Sequence, residues 1–150
     1  MKQITGTTEI ANIVNGYLKT YEAHLATLTG LAEENTRLKA GKDYRGQEAM
    51  DEYTRKRKNH LDIDAQREND KACQNIDTAI DGLLSGVPES DPIRVEVNTA
   101  AGLLVDSLKA VLQVTSDSGL ANIMGELQNR MDGLEKSING VQENTASTVV

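Results

Sequence analysis

The sequence predicts an all-α fold, with long antiparallel helices forming a helical hairpin or bundle of coiled-coil character. Three observations carry that prediction. Apolar residues make up 38% of the chain, yet its aromatics are four tyrosines with no Phe or Trp. Such a core suits closely packed helices better than strands, which are usually rich in aromatics. Only Pro88 and Pro92 can interrupt a helix, and they lie close together. Elsewhere, apolar residues recur at steps of three and four over long runs. The 150 residues fit a single helical domain large enough to bury a core.

Thr7 or Thr8 can cap a first helix, with Glu9 in the first turn, where a carboxylate favours the helix dipole. Its stripe is Ala11, Val14, Leu18, Tyr21, Leu25, Leu28 and Ala32. The polar stretch KAGKDYRG, bracketed by Gly41 and Gly46, ends this helix in a short turn. A second helix is expected from about Gln47 to Leu84. Both its ends are apolar, but from Thr54 to Lys71 it offers only Leu61, Ile63 and Ala65. That middle must project beyond the main core or pack along one thin edge.

The stretch SGVPESDP is the clearest break and predicts a hinge near residues 85–92. Ser90 or Asp91 can cap the third helix, and Pro92 fits its first position because its missing N–H has no partner there anyway. The third stripe runs Ile93, Val97, Ala101, Leu104, Leu108, Val111 and Leu112. TSDSG then makes a turn, with Ser116 to Ser118 as candidate caps. In the fourth helix Leu120, Met124, Leu127, Met131, Leu134, Ile138 and Val141 step by four and three without error, the a/d pattern of a helix seam. Gly125, Gly133 and Gly140 fall on the expected outer face, each costing about 1 kcal/mol relative to Ala. The helix must therefore be ordered by what it packs on. The polar tail, residues 143–150, is expected to fray.

Net charge is −7, all of it in the second half. Residues 1–71 hold 12 basic and 12 acidic side chains, and residues 72–150 hold 4 and 11. Such a surface repels phosphate backbones and anionic lipids, so neither nucleic acid nor membrane insertion is expected. No stretch approaches the ~18 apolar residues of a membrane span. The N-terminus lacks the apolar core of a signal peptide. A lone Cys73 permits no internal disulfide and suits a reducing compartment. The expected location is cytoplasmic.

No chemical constellation emerges. The basic run Arg55 to Lys58 is followed by Asp62, Asp64, Glu68 and Asp70, which reads as a solvated face laced with pairs such as Lys58 with Asp62. DIDAQREND begins like a calcium loop but has Arg67 where the turn needs Gly. His24 and His60 lack ligands at zinc spacing and read as flanks of a helix interface. Cys73 reads as an inert, half-buried thiol. AGKD is no phosphate loop, and no nucleophile elbow is present. We therefore expect no catalysis and no metal or other cofactor.

The stretch LTGLAEENTRLKAGKDYRGQEAMDEYTRKRKNHLD resembles the FlgN-like family of flagellar export chaperones through Glu34, Leu38, Asp43, Lys58 and Leu61. Asn98 and Gly102 in VNTAAGLLVDSLKAVLQ are a weaker echo of that family. The usual aromatic and Asn spacing of the later helix is not matched. The resemblance implies a cytoplasmic type III secretion chaperone of flagellum assembly, holding unfolded or helical termini of hook-associated proteins before export.

These residues read as a non-enzymatic, acidic helical binding protein, an export chaperone or adaptor holding a protein partner. Its expected partner-binding residues are Leu120, Met124, Leu127, Met131, Leu134, Ile138 and Val141. The alternative is a self-assembling structural protein of a larger bacterial or viral particle, using the same seams.

Overall fold

The computed structural model describes residue 4 and residues 7–39 and 44–149. Its order is α1 (Thr8–Lys39), α2 (Tyr44–Leu84), α3 (Pro92–Ala110), a 3-10 turn (Val111–Gln113) and α4 (Asp117–Val149). There is no strand among the described residues. The protein is an all-α bundle.

α1 pairs with α2 and α3 with α4, while α2 with α3, and to a lesser extent α1 with α4, join the two pairs. Three contacts fix the α1–α2 register: Tyr17 with Asn69, His24 with Asp62 and Asn35 with Asp51. Each step forward along α1 matches an equal step back along α2, so the two run antiparallel over their whole length. α3 and α4 show the same relation. Ser107 donates to Glu126, Ser137 donates to Glu96, and Gly140 lies against Ile93. Ser107 and Ser137 are buried small residues that allow close approach.

Local chemistry explains the starts and stops. Asp91 caps α3, its side chain accepting from the Ile93 N–H at 3.0 Å, with Pro92 at the first helical position. Ser116 caps α4 by accepting from the Gly119 N–H at 3.1 Å. α2 begins at Tyr44, earlier than the expected Gln47, because Gly46 weakens a helix without forbidding it. Residues 40–43 of the expected turn lie outside the described residues.

α4 extends to Val149, with no Pro or Gly beyond Gly140 to stop it. One expectation is corrected. Gly140 is not on the outer face; a Cβ there would meet Ile93 Cδ1 at 3.2 Å, whereas Gly125 and Gly133 have nothing within 4 Å. The break at residues 85–92 is spanned by Arg94. Arg94 reaches back to donate from Nη2 to the Leu84 carbonyl at 2.7 Å and from Nε to the Val87 carbonyl at 2.8 Å. The Leu84 carbonyl, the last of α2, also accepts from the Val87 N–H at 3.0 Å, so the guanidinium adds a charged donor to the helix end.

The core fills the space between all four helices. α1 contributes Ile10, Val14, Leu18 and Leu25; α2 contributes Ala72, Ile76, Ile80 and Leu84; α3 contributes Val97, Leu104 and Leu108. Ile4 is also buried, held by a two-way bond in which the Asn15 amide side chain accepts from its N–H and donates to its carbonyl, both at 3.0 Å.

Candidate functional site

The expected partner-binding seam is filled from within. Leu127, Met131 and Leu134 are fully buried, Leu120, Met124 and Ile138 nearly so, all within the protein's own core. The Val141 side chain lies outside the described residues. A partner would reach these side chains only by displacing α4.

The open surface is elsewhere, where the core stops. Among the described side chains, Leu25 is the last buried one of α1 and Asn69 the first of α2. Beyond them the two helices continue as an arm, about 20 Å long on the α1 side. Within it Leu28, Leu31, Leu61 and Ala65 are half-buried, Ala32 is exposed, and Ile63 is 50% exposed. This is the thin edge that the sparse apolar pattern of Thr54–Lys71 predicts. Two atoms of the arm seam, Asn35 Oδ1 and Thr54 Oγ1, are buried without hydrogen-bond partners.

At the foot of the arm, over the turn joining α3 to α4, lies a groove of about 540 Å³. Leu25, Leu28, Ala32, Ala65 and Leu112 give it an apolar floor. Tyr21, His24, Lys58, Asp62 and Gln66 supply polar walls, and Gln113 to Thr115 close its lower end. Tyr21 fixes that end. Its hydroxyl donates to the Val114 carbonyl at 2.7 Å, with the Leu112 carbonyl at 3.4 Å.

His24 lies against the Tyr21 ring, with centroids 5.3 Å apart, and its Nε2 is 3.7 Å from Asp62 Oδ1. Lys58 Nζ holds the other oxygen of Asp62 at 2.9 Å. Burial lowers the His24 pKa more than Asp62 raises it. Burial likewise raises the Tyr21 phenol, with the Asp62 charge adding to it. The groove thus offers an apolar strip beside one compact, largely compensated charge pair. His24 flanks a helix interface as expected; His60 does not, being exposed on α2.

Below the groove sits a polar layer that the sequence reading missed. Asn69 is fully buried. Its Nδ2 donates to the Tyr17 hydroxyl and the Leu108 carbonyl, each at 2.9 Å, and its Oδ1 accepts from the Cys73 thiol at 3.6 Å. One side chain thus ties α1, α2 and α3 together. Burial raises the Cys73 pKa, which disfavours the reactive thiolate. Burial also pushes the Tyr17 phenol up to about 12, against the opposing effect of its bond with Asn69.

No group of three or more metal-ligating side chains occurs among the described residues. No helix among them is long and apolar enough to cross a membrane. The chain matches no known protein family, no curated protein and no solved structure.

Proposed function

We propose that the protein is a non-enzymatic helical binding module, whose arm receives a helix from a protein partner. One observation carries this reading: the apolar stripe of α1 continues past the point where α3 and α4 end. Leu28 and Ala32 there line a groove that none of the chain's own described helices covers. The arm is the lower half of a helix bundle, so the ligand that complements it is another helix laid along the groove. Its floor provides apolar contact, and the Lys58–Asp62 pair with Gln66 provides polar contacts that orient it.

On this reading the α4 seam builds and rigidifies the platform rather than touching the partner. The resemblance to FlgN-like export chaperones would make the partner a helical terminus of a hook-associated protein, a narrower proposal that rests on the resemblance alone.

The test is a fluorescence-anisotropy titration with labelled amphipathic helical peptides carrying Leu/Ala heptads. Saturable binding that Ala32→Glu abolishes is expected, because that change puts a charge on the groove floor while leaving the core intact. If no helical peptide binds, or if Ala32→Glu binds as well as the parent, the groove is not a helix receptor.

A further inference from the structure

We propose that the groove takes an amphipathic helix with an acidic residue flanking its apolar face, and that protonation of His24 strengthens the hold on that residue. The inference rests on the reading of the groove as a helix receptor and names the partner's charge and the condition that regulates binding.

The groove has donors to spare and acceptors already engaged. Asp62 is the one acid of its lining. Its Oδ2 accepts from Lys58 at 2.9 Å, and its Oδ1 lies 3.7 Å from His24 Nε2. At the lower end the Leu112 and Val114 carbonyls face the Tyr21 hydroxyl. The Lys58 ammonium, by contrast, carries three N–H groups and gives one to Asp62. The Gln113 amide adds two more donors, and imidazolium donates from both ring nitrogens. An incoming carboxylate satisfies these groups. An incoming ammonium must share an acid that Lys58 already holds.

His24 decides the charge of the groove. Its side chain is 10% exposed and packs on the Tyr21 ring. The charged groups acting on it are Asp62, Lys58 and Asp64, all on α2. From α1 it meets the Tyr21 phenol, and the turn after α3 presents Leu112 to Thr115, which carry no charge. Lys58 and Asp62 cancel, so the lining is neutral while His24 is neutral and becomes +1 when His24 is protonated. Burial opposes that proton most strongly; Asp62 favours it, Lys58 opposes it and Asp64 favours it, with a net lowering of the pKa. At 3.7 Å Asp62 is too far for a hydrogen bond, so the imidazolium is left short of a partner. A carboxylate brought by a docked helix supplies one. By reciprocity, a ligand that favours the proton is itself favoured by the proton, so acid tightens the complex.

The window follows from the two groups. His24 titrates below its ordinary 6.5, and a partner Glu stays ionised down to roughly pH 5, so the gain is confined to the range between.

The test is an anisotropy titration of the full chain with three labelled helical peptides that differ only in Glu, Gln or Lys beside the Leu/Ala face. From about pH 7.5 to about pH 5.5 the Glu peptide should tighten about fivefold, the Gln peptide should change little and the Lys peptide should weaken. His24→Gln should abolish these differences in trend. NMR of the parent chain gives a second reading: the Glu peptide should raise the His24 titration midpoint above its free value and leave that of exposed His60 unchanged. Equal pH trends for the three peptides, trends that survive His24→Gln, or an unmoved His24 midpoint overturn the proposal. If the peptides still bind in an Ala32-dependent way, the helix-receptor reading stands without the switch. If none binds across this range, both fail.

Discussion

Replacing Asn69 with Ala is expected to destabilise the fold by about 2–4 kcal/mol, although sequence context makes the residue look like part of a solvated run. The side chain is fully buried and makes two direct bonds at 2.9 Å, to Tyr17 and to the Leu108 carbonyl. Each such bond is worth about 1 kcal/mol net, and a buried group left unpaired costs more. The Leu108 carbonyl keeps a second donor, the Val111 N–H, so its loss is partial. The Tyr17 hydroxyl loses its Asn69 donor, and truncation also leaves a cavity between three helices. For a chain of this size the change corresponds to a fall in Tm of roughly 6–14 °C. Asn69→Asp should be worse at neutral pH, because it places a carboxylate against the Leu108 carbonyl oxygen. That variant should recover partly in acid, as the carboxyl takes up a proton. Urea unfolding followed by circular dichroism measures all three chains. An Asn69→Ala variant within about 0.5 kcal/mol of the parent would refute the reasoning, since no buried three-helix tie can be lost so cheaply.

Three further outcomes are expected. The Tyr17 phenol is pushed up to about 12 in the fold from an ordinary 10, so its contribution is complete below pH 10 and lost as pH rises through 12; unfolding titrations should show about 2–3 kcal/mol of alkaline loss that Tyr17→Phe removes. Gly125→Ala and Gly133→Ala face open space within α4 and should each stabilise by about 0.5–1 kcal/mol in thermal melts, while Gly140→Ala, crowding Ile93, should gain nothing. Arg94→Ala should cost about 1–3 kcal/mol in urea unfolding, because it strips the Leu84 and Val87 carbonyls of their charged donor; Arg94→Lys should recover only part of this, lacking the two-nitrogen fork.

Much of the architecture was legible because it is written in spacing and in punctuation. The unbroken steps from Leu120 to Ile138 gave the α4 seam, the Asp91–Pro92 pair gave the start of α3, and the poverty of Thr54–Lys71 gave the thin arm. Spacing does not say which neighbour fills a seam. The same regularity that suggested a partner site at Leu127 and Met131 is satisfied here by the chain's own helices. Asn69 was missed because DIDAQREND reads as charged surface. A signal was nevertheless present, since Leu61, Ala65, Asn69, Ala72 and Ile76 continue one stripe at steps of three and four, with a polar residue in an inward place. Arg94 and the Ile4–Asn15 pair carried no such signal, for their bonds depend on how the chain folds back on itself. The groove was not legible either. It exists only because α3 and α4 end level with the middle of α2, a match of lengths across the bundle that no local pattern records.

On the proposed function the α4 seam holds the fold and the arm groove makes the association. The most direct test is to measure urea unfolding and peptide binding side by side for Leu127→Ala and Ala32→Glu. Leu127 is fully buried, so its truncation should cost about 2–5 kcal/mol of stability and leave the affinity of the folded fraction unchanged. Ala32 is exposed on the groove floor, so Ala32→Glu should leave stability within about 0.5 kcal/mol and abolish binding. If Leu127→Ala instead weakens binding while stability holds, the seam is the recognition surface and the assignment is reversed.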